Sequence, residues 1–134
     1  MAQIPKEVQE FLVRKNGWVA TATPFGTPNT VLQRSIRVVD GKRVVFADLF
    51  FRNTGDSPQS SPKVTFAVTD KTTGEGYEIK GTAERKDSGP LFDQVAETLR
   101  VAPMLLPPLK YVVDITVESV YDQSMGLQAG IRIA

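Results

Sequence analysis

The chain contains no cysteine and no histidine. Without cysteine there are no disulfides, no thiolate-held zinc or iron–sulfur centre and no cysteine nucleophile. Without histidine the usual catalytic triads and HExxH metal sites are excluded, along with the commonest general base near neutral pH. Charge of one sign is lacking as well. The 16 Lys and Arg face 15 Asp and Glu, a net charge of +1, too even for a nucleic-acid binder that relies on a bulk positive field. No run approaches the roughly 18 apolar residues of a membrane helix. The opening Met1-Ala2-Gln3-Ile4-Pro5-Lys6-Glu7 lacks the charged-then-apolar order of a secretion signal. These absences point to a cytoplasmic protein with no nucleic acid and no membrane among its partners. Any chemistry falls to a bound cofactor or to carboxylates.

What is present is an ordinary globular composition. The 134 residues are 41% hydrophobic and 23% charged, the size and balance of a single domain over 1–134. Ile4, Val8, Phe11, Leu12 and Lys15 recur at helical spacing, with Pro5 in the first turn and Gly17 placed as a C-terminal cap. That face reads as a lid on the core. Strands follow over Trp18 to Thr23, Thr30 to Val39 and Arg43 to Asp48, and Asp40-Gly41 turns the last two into a hairpin. Lys63 to Asp70 and Tyr77 to Lys86 form a second hairpin. Val64, Phe66 and Val68 share one face, as do Tyr77, Ile79, Gly81 and Ala83. The small Gly81 and Ala83 predict a bend or a close approach of backbone. Gly89-Pro90 opens a helix to about Arg100 with an apolar stripe of Leu91, Phe92, Val95, Ala96 and Leu99. Lys110 to Tyr121 is the last strand, and Ser124 to Ala134 is a polar tail. The fold class is mainly β: six antiparallel strands with two helices, or three where Asp56 or Ser57 caps a short turn. Such strands close most naturally into a small barrel.

One cluster stands out chemically. Arg52-Asn53-Thr54-Gly55 follows a strand and precedes a helix-start signal. A guanidinium, a hydroxyl and backbone N–H groups there make an anion cradle, with Arg34 and Arg37 adding charge. By spacing alone the same residues read more readily as a solvated loop with ordinary capping. Phe50 and Phe51 precede it, and by alternation only one of them faces a given side: one stacks on a flat ligand, or both are core. No Walker motif or GxGxxG is present. Asp48 ends a strand beside the cluster, whereas Glu78, Glu84, Asp114 and Glu118 read as residues of wet strand faces. No carboxylate spacing implies acid–base work and no metal-ligand constellation exists, so neither catalytic nor metal residues are assigned. Val101 to Leu109 holds Pro103, Pro107 and Pro108 around Met104, Leu105 and Leu106. It is either covered by a partner or packed on its own core.

The order of these pieces resembles the pyridoxamine 5′-phosphate oxidase-like family. The resemblance is carried by Trp18-Val19-Ala20-Thr21-Ala22-Thr23, Gly26-Thr27-Pro28-Asn29, Val45-Phe46-Ala47-Asp48 and the Arg-Asn-Thr loop. Ser61-Pro62-Lys63-Val64, Tyr77-Glu78-Ile79-Lys80-Gly81-Thr82-Ala83, Gly89-Pro90-Leu91-Phe92 and Val117-Glu118-Ser119-Val120-Tyr121 complete it. It implies a split β-barrel of the FMN-binding type, a homodimer with flavin near the subunit interface, and FMN as cofactor. It further implies that Gln33, Arg34, Ser35 and Ile36 lie along the flavin and that Asp48, Leu49 and Phe50 lie near its ring. Arg52, Asn53 and Thr54 would hold its phosphate. The Met104 to Leu106 loop and the C-terminal tail become candidates for covering the ring from the partner. The family loop often has Lys where Asn53 stands, a lost charged donor worth about 1.5–3 kcal/mol. It often continues Asn-Leu and Asn-Pro where Ser57-Pro58 and Ser61-Pro62 stand. The chain also lacks the basic C-terminal substrate segment of the longer vitamin-forming oxidases. It is similar to the short flavin-binding members, as an oxidoreductase with unassigned substrate. A flavin carrier or electron-transfer protein and a deazaflavin-dependent reductase are the alternatives.

Overall fold

The computed structural model describes residues 3–22, 28–33, 36–48, 63–101, 109 and 111–134. Helix α1 (Lys6–Leu12) leads into β1 (Gly17–Ala22), β2 (Pro28–Gln33), β3 (Ile36–Asp40), β4 (Arg43–Asp48), β5 (Lys63–Thr69) and β6 (Gly76–Lys86). Helix α2 (Pro90–Arg100), β7 (Tyr111–Asp122) and β8 (Ile131–Arg132) complete the order. All strand pairs are antiparallel, in the sheet order β2-β1-β5-β6-β7-β4-β3 with β8 beside β7.

Eight strands stand where the spacing suggests six. The stretch 30–39 contributes to two of them, because β2 pairs with β1 whereas β3 pairs with β4. Those two lie at opposite ends of the strand order, yet Gln33 and Ile36 are three residues apart and at most about 11 Å distant. The sheet must therefore roll until its two ends approach, giving the small barrel the alternation predicts and the split form the resemblance implies. The tail 124–134 is not merely polar loop. The Ile133 N–H donates to the Val120 carbonyl at 2.8 Å, and β8 is registered against Tyr121 and Asp122. A two-residue strand has no alternation to read.

Val19, Phe46, Phe66, Ile79, Ile115 and Val117 fill the interior. Helix α1 closes one end with Ile4, Val8, Phe11 and Leu12, all buried. Phe11 meets Tyr77 edge-on at 5.3 Å between ring centroids. Gly17 does not cap this helix: α1 ends at Leu12 with Val13 as its cap, and Gly17 opens β1. A Cβ on Gly17 would lie 3.0 Å from both Ile36 Cδ1 and Val68 Cγ2, so packing sets that position. Lys15 likewise falls past the helix, where its Nζ pairs with Asp70 Oδ2 at 3.0 Å.

Gly81 does mark a close approach. The β6–β7 register shifts between Lys80 and Gly81, and a Cβ there would meet Ile115 Cγ2 at 2.9 Å and the Thr116 carbonyl oxygen closer still. Helix α2 begins at Pro90 behind Gly89. It lays Val95, Leu91, Phe92 and Leu99 on Val45, Ala47 and Val112, the outer face of β4 and β7. Both faces of β7 are thus covered along its first half, and Asp114, read above as a wet-face residue, is 5% exposed. Alternation alone does not reveal a helix packed on the second face.

At the α1 end, the Tyr77 hydroxyl donates to Glu75 Oε2 at 2.7 Å. Burial first, then this bond and the Glu75 charge, raise the phenol well above its ordinary value. A raised folded pKa gives stability that is full below the unfolded value and is lost as pH rises through the folded one. Tyr77→Phe is therefore expected to flatten the stability loss above about pH 10, as read by melting temperature against pH. An unchanged alkaline limb would show that Tyr77 does not set it.

Candidate functional site

The end of the barrel opposite α1 is where the chemistry collects. Strand β6 runs from Tyr77, under the helical lid, to Lys86 at the far end, roughly 30 Å along the strand. There Lys86 pairs with Val112, Arg85 with Val113 and Asp48 with Tyr111. Arg85 follows the last inward apolar residue of β6, Ala83, by two positions, so a cation takes the inward-facing row just past the core. Its guanidinium carbon lies 4.2 Å from the centroid of the Tyr111 ring, a cation–π contact at the point where β4 hands over to the 49–62 segment.

On the outer side of the same strands lies a second charged group. Asp114 Oδ1 accepts from Arg43 Nε at 3.1 Å, Oδ2 is bonded by Arg43 Nη2, and Lys86 Nζ donates to Oδ2 at 2.9 Å. Burial pushes the Asp114 carboxyl up. The hydrogen bonds and charges of Arg43 and Lys86 outweigh that and hold it below the usual carboxylate range. The hydrogen bond to Asp114 in turn raises Arg43. One carboxylate held by two cations is a structural clamp between β4, β6 and β7. It shares no proton with a second acid, so it is not an acid–base pair.

Of the residues marked by sequence, Gln33 closes β2 opposite Gly17 and Asp48 closes β4 opposite Tyr111. Ile36 opens β3, buried against the core and paired with Phe46, two residues short of Asp48. The two marked stretches thus adjoin one β3–β4 hairpin. Arg34, Ser35, Leu49, Phe50, Arg52, Asn53 and Thr54 lie outside the described residues, as does the Met104 to Leu106 loop. Arg37, considered as added charge for the anion cradle, donates from Nη2 to Thr98 Oγ1 of α2 at 2.9 Å instead. Arg85 and Tyr111 are the two residues that sequence reasoning missed. The signal was available: a cation at an inward position of an otherwise apolar row.

The sequence pattern that defines the pyridoxamine 5′-phosphate oxidase family matches residues 4–124. The chain belongs to this family. Another protein similar to this family member is MJ0282 of Methanocaldococcus jannaschii, 31% identical over 138 residues that span 100% of this chain and 90% of that protein. Among solved structures, HupZ of Group A Streptococcus superposes with a TM-score of 0.81 at 27% identity, covering 95% of this chain and 99% of that one. An FMN-binding protein of Syntrophomonas wolfei gives 0.69 at 14% identity, over 91% and 90% of the two chains. An F420 reductase gives 0.66 at 19% identity, over 87% and 98%. The last two likenesses establish the split-barrel fold that this member of the pyridoxamine 5′-phosphate oxidase family shares.

The stacking of Arg85 on Tyr111 brings a guanidinium and an aromatic ring together beside the last pair of β4 and β7, Asp48 with Tyr111. No helix among the described residues is long and apolar enough to cross a membrane.

Proposed function

We propose that this chain is an FMN-binding flavoprotein and an oxidoreductase, acting as a homodimer with the flavin near the subunit interface. The observation that carries this reading is the junction at Asp48. The strand preceding the Arg52-Asn53-Thr54 loop ends beside the Arg85–Tyr111 pair, on the same hairpin that receives the 33–35 stretch. Membership of the pyridoxamine 5′-phosphate oxidase family and the likeness to an FMN-binding protein support it.

In this reading Arg52, Asn53 and Thr54 hold the phosphate. Gln33, Arg34 and Ser35 line the flavin, and Asp48, Leu49 and Phe50 flank its ring. Bound FMN supplies the centre that accepts or passes on a hydride or electrons, which a chain without histidine or cysteine does not supply itself. The protein's part is to bind, orient and exclude water. The likeness to an F420 reductase favours a second reading, in which a deazaflavin takes the same place.

The decisive experiment is the absorbance spectrum of the protein as purified, followed by titration of FMN and of a deazaflavin into stripped protein. A yellow protein that rebinds FMN supports the first reading. Preference for the deazaflavin supports the second, and a colourless protein with no micromolar affinity for either sinks both. Thr54→Val is expected to weaken FMN binding roughly 10-fold through loss of one hydrogen bond to a charged group, with the fold intact by circular dichroism. An unchanged dissociation constant would place the phosphate elsewhere. Stopped-flow reduction by nicotinamide cofactors separates turnover from flavin carriage, because a carrier reduces slowly and without saturation.

A further inference from the structure

Three asparagines occur in the chain, Asn16, Asn29 and Asn53, and only Asn16 is followed by glycine. Asn29 sits within β2, paired with Thr21 and followed by the β-branched Thr30. Asn16 is held by nothing comparable. It lies between α1 and β1 in no regular element, it is exposed, and its amide makes no hydrogen bond with any described residue. Gly17 beside it is buried and fixed by packing. A Cβ there would lie 3.0 Å from Ile36 Cδ1 and Val68 Cγ2, and 3.2 Å from the Ala67 carbonyl oxygen. The fold thus demands, directly after an unheld asparagine, the one residue whose backbone nitrogen no side chain shields. Asp40-Gly41 is the comparable pair. There Asp40 Oδ1 accepts from the Lys42 N–H at 2.9 Å and Oδ2 lies 4.0 Å from Arg43 Nη1, and an ionised carboxylate is a poor electrophile.

We propose that Asn16 is a site of self-modification, closing a succinimide ring with the Gly17 nitrogen and reopening as isoaspartate or aspartate. Water is the only reagent required. The Gly17 nitrogen attacks Cγ of Asn16, the Cγ–Nδ2 bond breaks, and Nδ2 leaves as ammonia with the peptide proton. Water then opens the ring. Attack at Cγ restores the chain as aspartate, whereas attack at the main-chain carbonyl leaves the backbone running through Cβ as isoaspartate. Gly17 is the first residue of β1, so its nitrogen is freed when only the end of the ladder frays. The link from buried Leu12 to buried Gly17 is short. Isoaspartate adds one main-chain atom to it, and Gly17 has no room to move toward Ile36 or Val68. The extra length falls on the exposed side, where Lys15 Nζ ties the link to Asp70 Oδ2 at 3.0 Å. The new carboxylate also competes with Asp70 for Lys15. The modification therefore loosens the α1 lid. It creates an isoaspartyl carboxylate, the substrate class of carboxyl methyltransferases that use S-adenosylmethionine. None of this depends on flavin binding.

The test ages the full chain in mildly alkaline buffer, where the amide nitrogen loses its proton most readily. Mass spectrometry follows the tryptic peptide that begins at Asn16. Fragmentation should place the mass shift of deamidation at Asn16 and not at Asn29, with isoaspartate the larger product. The rate should lie within roughly 10-fold of that in a short peptide of the same residues. A purified isoaspartyl methyltransferase with S-adenosylmethionine should methylate the aged chain and not the fresh one. The α1 amides of the aged chain should exchange with deuterium roughly 10-fold faster. Asn16→Gln, which would need a six-membered ring, should lose all three signals with unchanged circular dichroism. An Asn16 that stays intact while the peptide deamidates overturns the proposal, as does an Asn16→Gln chain methylated as readily. An aged chain whose α1 amides exchange like those of fresh protein overturns the loosening of the lid.

Discussion

Gly81→Val is expected to destabilise the protein by about 3 kcal/mol or more, a fall of roughly 10 °C in melting temperature. The reason is steric. A Cβ at this position meets the Thr116 carbonyl oxygen of the neighbouring strand, and Ile115 Cγ2 stands 2.9 Å away. Backbone in the middle of a paired sheet does not swing aside as the tip of a side chain does. Relief would require the β6–β7 ladder to open at its bulge, where Lys80 pairs with Ser119 and Gly81 with Val117. Gly89→Ala is the informative control. It sits at φ 104° with nothing within 4 Å of an added Cβ, so its cost is conformational alone, about 1 kcal/mol. Urea midpoints for the two variants compare the effects directly. Equal losses would show that no close strand approach exists at Gly81.

Asp114→Asn is the second large effect, about 2–3 kcal/mol at neutral pH. Removing the carboxylate leaves Arg43 and Lys86 facing one another without their shared anion, and breaking a buried pair by taking away one partner is costly. The side chains of Arg43 and Lys86 are 31% and 33% exposed, so water softens the loss and places it at the lower end of that range. The pH dependence follows from the sign of the shift. The folded carboxyl is held below its ordinary value by Arg43 and Lys86 in spite of burial. Its contribution is therefore complete above the unfolded pKa near about 4 and is lost as pH falls through the folded value. The wild-type chain should lose stability on acidification below about pH 4, and the Asn variant should lack that part of the slope. Parallel acid limbs in the two proteins would rule out the clamp.

The two substitutions probe opposite degrees of legibility. Gly81 was readable in advance: a glycine and an alanine at successive inward positions of an alternating strand have few explanations besides close backbone approach. The hairpin of β5 and β6, the Gly89-Pro90 start of α2 and its apolar stripe were readable for the same reason, since each depends on neighbours within a dozen residues. Asp114 was not. It occupies an alternate, outward position on β7, and nothing local tells whether that face meets water or a helix. The packing of Val95 on Val112 decides it, across a separation no short pattern spans. The same holds for Gly17. A glycine after a helix reads as a cap, and only the approach of Ile36 and Val68 reveals a packing constraint. Arg85 shows itself in sequence only as a cation on the inward row of β6, and its stacking partner Tyr111 is identified by the β6–β7 pairing.

The candidate site divides along the same line. Its donors, Arg34, Arg52 and Thr54 among them, are named by sequence order and by resemblance to the pyridoxamine 5′-phosphate oxidase family. The reason those stretches belong together is topological, since one leads into β3 and the other follows β4 of a single hairpin.

The amino-acid order alone settled what this chain does not do with its own side chains. Without histidine or cysteine it holds no thiol or imidazole chemistry, and its alternating patterns with glycine and proline punctuation specify antiparallel strands and two helices. Those are local properties, governed by residue chemistry and by periods of 2 and 3.6. Which faces are wet, which cation stacks on which ring, and that the 30–39 stretch serves both ends of the sheet were decided only in three dimensions. They depend on contacts between segments far apart in the chain, whose free energies appear only when the barrel closes.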